Sequence, residues 1–185
     1  INPNFQKETI LISVYRLNET IIIAFLSWII SIIFGTILGI LSSDILYIFL
    51  EIPIFIKKIV ILLLTILRSI HEFVWGLILI QVFGINYEVG IISICIPYAV
   101  INAKVIREQL NTINPNIIKA FQQFNDNNLA SLLTIIWSPI LDIFKNFGIY
   151  RFECALRSTA ILGLLGVGGI GTSIFLSFQS LNFRD

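Results

Sequence analysis

Between Thr20 and Ser43 the chain carries no charged side chain. At about 1.5 Å of rise per residue, a helix over that run exceeds the ~30 Å hydrocarbon core of a bilayer. Gly35 and Gly39 stand four apart inside it, on one face, a spacing that lets two membrane helices approach closely. Trp28 lies in mid-segment, away from the depth where aromatic belts form. Residues 44–58 set Asp44, Glu51, Lys57, Lys58 and Pro53 in an apolar background and read as an interfacial connection. A second apolar stretch, about 59–83, is interrupted by Arg68-Ser69-Ile70-His71-Glu72. A short turn over 84–87 leads to a third span at about 89–106, where a membrane helix tolerates Pro97 as a kink.

Residues 107–138 form the one long polar stretch, with Asn at 111, 114, 116, 125, 127 and 128. Ile117, Ile118, Phe121, Phe124, Leu129, Leu132 and Leu133 recur within it at the spacing of short amphipathic helices outside the bilayer. Asn114-Pro115 would start the first of these, and the Asn-Asp-rich run 125–128 would break it. A fourth span, about 140–165, carries Asp142, Lys145, Arg151, Glu153 and Arg157 and ends at a glycine-rich run, 166–171. The pattern predicts an all-α, polytopic membrane helix bundle. Residues 1–18 form an external or interfacial segment, and residues 19–185 the transmembrane domain. Its spans are about 20–43, 59–83, 89–106 and 140–165, and its cytoplasmic loop is 107–138. Lys57, Lys58, Arg107 and Lys119 fall on one side and the 84–88 turn has no basic residue, so the basic side is assigned to the cytoplasm.

Composition agrees. Of 185 residues 57% are hydrophobic and 12% charged, about half the charge typical of a soluble domain. That excludes a soluble enzyme and a disordered tail, and a net charge of +1 excludes a module with a basic face for nucleic acid. Cys95 and Cys154 sit in separate apolar stretches and make no disulfide scaffold. The chain opens on Ile1 and contains no Met, so it is expected to be a piece of a longer protein, lacking a terminal helix or helices. No signal-peptide pattern precedes the first apolar run.

Candidate chemistry is sparse. Gly166, Gly168 and Gly171 match G-x-G-x-x-G, but an apolar helix precedes the motif where a dinucleotide site needs a strand. Tight packing or special backbone geometry at a membrane helix end is the alternative. No phosphate-cradling G-x-x-x-x-G-K-[ST] occurs, so ATP-driven work would need another subunit. His71-Glu72 holds the only His, which argues against a metal site; Glu72 would pair with Arg68 at i,i+4, pack a partner or line a pathway. Glu153 and Arg157 are also i,i+4, on a helix that must cross the membrane. Either they neutralise each other, or one faces a route for an anion, since Arg151 leaves a surplus positive charge. No catalytic residues, metal or cofactor are expected.

Two runs carry a family resemblance. Arg68-Ser69-Ile70-His71-Glu72-Phe73-Val74-Trp75 resembles the R-x-I-P-E-x-V-W segment of permease subunits from phosphonate ABC importers. Tyr150-Arg151-Phe152-Glu153, Arg157, Leu162-Gly163 and the run 166–171 resemble their Y-R-F-E…R…L-G…G-x-G-G-I-G run. The cytoplasmic stretch is similar to the E-A-A-x3-G-x9-I-x-L-P coupling motif of binding-protein-dependent importers. Lys119 stands at the Glu position, Ala120-Phe121 follow, Asn125 stands at the Gly position, and Pro139 falls one residue late. His71 stands where the family has Pro, which is expected to remove a kink.

The resemblance implies a non-enzymatic permease subunit in the bacterial cytoplasmic membrane. Its partners would be a second permease subunit, a pair of cytoplasmic ABC ATPases, an external substrate-binding protein and membrane lipid, with no nucleic acid. Ile117, Lys119, Ala120, Phe121, Phe124 and Asn125 would couple to the ATPase. Arg151, Glu153, Arg157, Gly166, Gly168 and Gly169 would line the path for phosphonate, phosphite or phosphate. Alternatives are the same architecture importing another small solute, such as an amino acid, and an intramembrane enzyme using His71, Glu72 or Glu153.

Overall fold

The computed structural model describes residues 7–50, 53–114, 116 and 128–179, and they are helical apart from connecting turns. The helices are α1 (Lys7–Ser42), α2 (Asp44–Leu50), α3 (Ile54–Ser69), α4 (Glu72–Phe83), α5 (Tyr87–Leu110), α6 (Asn128–Leu162) and α7 (Ile170–Gln179). A 3-10 turn, Gly163–Leu165, follows α6. Three stretches are long and apolar enough to cross a membrane: Ile10–Ser42, Tyr87–Leu110 and Leu133–Gln179. The protein is therefore an all-helical, multi-pass membrane protein.

The helix boundaries differ from the sequence reading, most of all in four places. Helix α1 is already formed at Lys7, so residues 7–18 continue the first span as one 36-residue helix. The stretch 44–58 contains α2 and the start of α3. The expected span at 59–83 is two helices, of 16 and 12 residues. At roughly 24 and 18 Å, neither alone crosses the hydrocarbon core. Helix α6 starts at Asn128 and passes straight through Pro139, so residues 128–138 belong to the last span and not to a separate loop. Burial explains that continuity: Ile136 and Ile140 flank the Pro and both enter one core cluster, so packing offsets the hydrogen bond that Pro139 cannot make.

The chain divides into two units, described separately. The first takes its described residues from Ile1–Ile29, Ile70–Cys95 and Arg151–Asp185, the second from Ile30–Ser69 and Ile96–Tyr150. In the first, Phe25 and Trp28 of α1 pack on Phe152 of α6 with ring centroids 6.2 and 5.7 Å away. The second has a core of Ile45, Ile106, Leu110, Ile136 and Ile140, and a smaller cluster of Leu64, Val100 and Ala103. Asp44 opens α2 with its N–H donated to Asn111 Oδ1 at 2.8 Å, and its carboxylate accepts from Lys57.

Helices α1 and α5 meet at the two glycines. A Cβ on Gly35 would lie 2.6 Å from Asn102 Cβ, and one on Gly39 would lie 2.8 Å from Ile106 Cβ and 3.1 Å from the Ala103 carbonyl oxygen. Association of apolar helices in lipid depends on this close packing, because the hydrophobic effect does not separate them from lipid tails. Next to it, Asn102 Nδ2 reaches the buried Ser31 Oγ at 3.4 Å. Gly39→Val should therefore force α1 from α5 and cost about 1–3 kcal/mol, the usual penalty of overpacking. Gly84→Ala should show no steric effect, because nothing lies within 4 Å of a Cβ there, although its φ of +79° still carries backbone strain. Denaturant titration of the detergent-solubilised protein compares the two; wild-type stability for Gly39→Val would mean that α1 and α5 do not pack through this glycine.

Candidate functional site

The two runs that carry the family resemblance meet in the first unit. Helix α3 stops at Ser69, and His71 adopts an extended conformation (φ −68°, ψ 148°) before α4 begins. Its Nδ1 accepts from the Phe73 N–H at 3.3 Å, which caps the new helix. The expectation that losing the family's Pro removes a kink is therefore overturned. His71 has a φ that proline would also adopt, and its ring satisfies an amide that proline would leave to other partners. The break also ends the expected i,i+4 pairing of Glu72 with Arg68, since the two no longer share a helix. Glu72 instead accepts from Ser158 Oγ of α6 at 2.7 Å, and His71 Nε2 lies 3.5 Å from its other oxygen.

The glycine run is a turn built on positive φ. Gly166 (φ +84°) closes the 3-10 turn with its N–H on the Gly163 carbonyl at 3.0 Å, and Gly168 and Gly169 have φ of +117° and +79°. A side chain on Gly168 would run into the Tyr87 ring, and a Cβ on Gly169 would lie 2.5 Å from Thr20 Oγ1. The bland reading of G-x-G-x-x-G is therefore the correct one: close packing and left-handed backbone at a helix end.

What holds this turn was not visible in the sequence. Thr20 Oγ1 accepts from the Ile170 N–H at 2.9 Å, and Glu19 Oε2 accepts from the Gly169 N–H at 3.2 Å. Glu19 also accepts from Tyr87 OH at 3.0 Å and pairs with Arg16 at 3.0 Å. A carboxylate and a hydroxyl from α1 thus cap the N-terminus of α7, where the helix dipole favours negative charge. The available signal was an Arg–Glu pair at i,i+3 immediately before a charge-free run.

The six residues expected to line a path do not form one cluster. Arg151 is buried, 8% exposed, beside the Phe152 ring packed on α1. Glu153 and Arg157 form an ion pair on the outward face of α6, with side chains 57% and 73% exposed. Gly166, Gly168 and Gly169 form the turn held by Glu19 and Thr20. The coupling residues Ile117, Lys119, Ala120, Phe121, Phe124 and Asn125 lie outside the described residues. Among the described residues no group of three or more His, Cys, Asp or Glu side chains converges as a metal site would require. Both cysteines are free thiols.

These features define a multi-pass membrane protein with a charged pair on a spanning helix. The expected likeness to phosphonate-type permeases is borne out by curated relatives. The chain is 24% identical over 83 residues to a protein of Escherichia coli K12 described as a cryptic phosphonate transport system permease. It is 23% identical over 123 residues to the phosphite transport system permease of Stutzerimonas stutzeri. It is 22% identical over 120 residues to the phosphate-import permease of Mycolicibacterium smegmatis. The matches cover 45%, 66% and 65% of this chain, and 68%, 45% and 23% of those proteins. All three relatives are transport permeases. No protein-family model matches the chain, and no solved structure matches it significantly.

The cap on α7 is testable. Thr20→Val keeps the shape but leaves the Ile170 N–H without its acceptor, and should cost about 1–3 kcal/mol. Thr36→Val, an exposed hydroxyl bonded only to its own helix, should cost less than half as much. Equal thermal midpoints for Thr20→Val and wild type in detergent would show that α7 does not depend on this cap.

Proposed function

We propose that this chain is the membrane-spanning permease subunit of an ATP-driven importer for phosphonate or a related phosphorus oxyanion, phosphite or phosphate. The observation that carries the proposal is the Glu72–Ser158 hydrogen bond. It joins the two runs in which the chain resembles phosphonate permeases. The printed functions of the relatives, phosphonate, phosphite and phosphate transport, support the same solute class. The subunit works as a dimer in the bacterial cytoplasmic membrane, with two ABC ATPases docked on the loop around Ile117, Lys119, Ala120, Phe121, Phe124 and Asn125. An external binding protein delivers the solute, and no cofactor is required.

The exposure of Glu153 and Arg157 favours a path between subunits. A charge facing lipid at mid-membrane costs at least about 2.5–3.5 kcal/mol. An ion pair on the outward face of a spanning helix is therefore covered by a second subunit or by a water-filled route. The guanidinium of Arg157 suits an oxyanion, because its planar fork donates paired hydrogen bonds and is weakly hydrated. Glu153 orients it, Arg151 adds positive potential from the interior, and the Gly166–Gly169 turn borders the route.

In vesicles carrying the full-length permease with its ATPase and binding protein, Arg157→Gln should slow phosphonate uptake about tenfold or more. That is the equivalent of one charge-assisted hydrogen bond. Arg157→Lys should restore part of the rate, since the charge stays and the fork is lost. Wild-type uptake by Arg157→Gln, with assembly intact, would leave the pair a structural one.

The orientation has its own test. Single cysteines at Asn127 and Asn86, with Cys95 and Cys154 replaced by Ala, should label from the cytoplasmic and external sides respectively. Labelling of both from outside would overturn the cytoplasmic assignment of the polar stretch that precedes α6.

A further inference from the structure

Within the first unit, helix α6 packs one face and leaves the other open. Ala155, Ser158, Thr159 and Leu162 are buried, and Ser158 donates to Glu72. Glu153, Arg157 and Ile161 follow one another at i, i+4 and i+8 and are exposed. The glycine turn that ends α6 takes its caps from Glu19 and Thr20 and packs on Tyr87, so it marks the end of the span. At about 1.5 Å per residue, Arg157 and Glu153 lie roughly 9 and 15 Å back along the helix from Gly163, within a hydrocarbon core of ~30 Å. Arg157 Nη2 donates to Glu153 Oε1, and among the described residues that is the one ion pair either makes. A guanidinium has five N–H donors and a carboxylate about four acceptor sites, so a single bond leaves most of them to a partner that hydrocarbon cannot be.

What covers this face must offer a carboxylate and a cation one helical turn apart at the same depth. A second copy of this chain brings both. Two copies inserted in the same orientation are related by a two-fold axis along the membrane normal, so their α6 helices run parallel. The two Glu153 then lie at one level and the two Arg157 about 6 Å away. Each Arg157 already spans that rise to reach its own Glu153, and the same reach serves Glu153 of the second copy. The four charges alternate in sign. Nor does the usual penalty apply, because an ion pair entering an interface from water must lose its hydration, whereas insertion of α6 has already removed it here.

We propose that two copies of this chain associate through the outward face of α6, with Arg157 of each chain shared between its own Glu153 and Glu153 of the second copy. The inference deepens the importer reading and rests on the dimer it contains. The seam between the copies is the path proposed above. Uptake by Arg157→Gln tests the transport reading, whereas the experiment below reads only which face the copies share. Its failure leaves a permease dimer joined elsewhere, and failed uptake leaves the interface standing.

The test is disulfide cross-linking of the full-length chain in membranes, with Cys95 and Cys154 replaced by Ala. Ile161→Cys, on the same face one turn beyond Arg157, should give a covalent dimer on mild oxidation, and Leu77→Cys, exposed on α4, should not. Adding Arg157→Glu or Glu153→Arg puts four like charges on the seam and should lower the yield about tenfold or more. Co-expression of the two reversals, each with Ile161→Cys and its own tag, should recover the cross-link between differently tagged chains, because opposite charges then meet only across the interface. Glu153→Gln adds no repulsion within a chain and should lower the yield about threefold, the usual worth of a polar contact between membrane helices. It reads the pairing even where a reversal fails to insert. Wild-type yield in Glu153→Gln and in the reversals would overturn the proposal, and so would equal cross-linking at Leu77→Cys. Loss in two inserted reversals without recovery on co-expression would overturn it too, since the pair would then act within each chain alone.

Discussion

Backbone amides released where a membrane helix is interrupted cannot rely on water, and much of this structure follows from how they are satisfied. Two of the interruptions of the helical path within the first unit show this. At 70–71, His71 turns the backbone extended and its own ring accepts the Phe73 amide. At 163–169, positive-φ glycines reverse the chain, and α1 supplies the acceptors: Glu19 for Gly169 and Thr20 for Ile170. Glu19 can occupy that place because Arg16 and Tyr87 hold both of its oxygens. A local cap serves one break, and a contact about 150 residues distant in sequence serves the other.

Close backbone approach is the second constraint. Gly35 and Gly39 bring α1 onto α5 in the second unit, as Gly163 and Gly171 bring the turn onto the start of α7 in the first. In both places a Cβ would lie within 2.8 Å of a neighbouring atom, so glycine is required there by space alone. Pro139 shows the opposite case. A residue that usually breaks a helix is carried through because Ile136 and Ile140 are worth more buried than the missing hydrogen bond costs.

The charged residues divide by environment. Glu19, Arg16 and Glu72 are spent on holding helices together, through bonds of 2.7–3.2 Å. Glu153 and Arg157 face outward from a spanning helix. The first group explains how this chain folds. The second is unexplained by the chain alone, which is why it carries the proposal about a second subunit and a solute.

The all-helical membrane class, the close-packing role of Gly35 and Gly39 and the likeness to phosphonate permeases were all legible in the sequence. Each depends on local periodicity, on composition or on short motifs, which are properties of neighbouring residues. The bland reading of the glycine run was equally legible, since no strand precedes it. Helix limits were not, because the break at His71 and the passage through Pro139 depend on what caps an amide or buries an isoleucine in three dimensions. Nor was the site. That Glu72 would bond Ser158 and not Arg68, and that Glu19 and Thr20 would hold α7, both depend on which helices become neighbours. Helical spacing decides which residues share a face; only packing decides what that face meets.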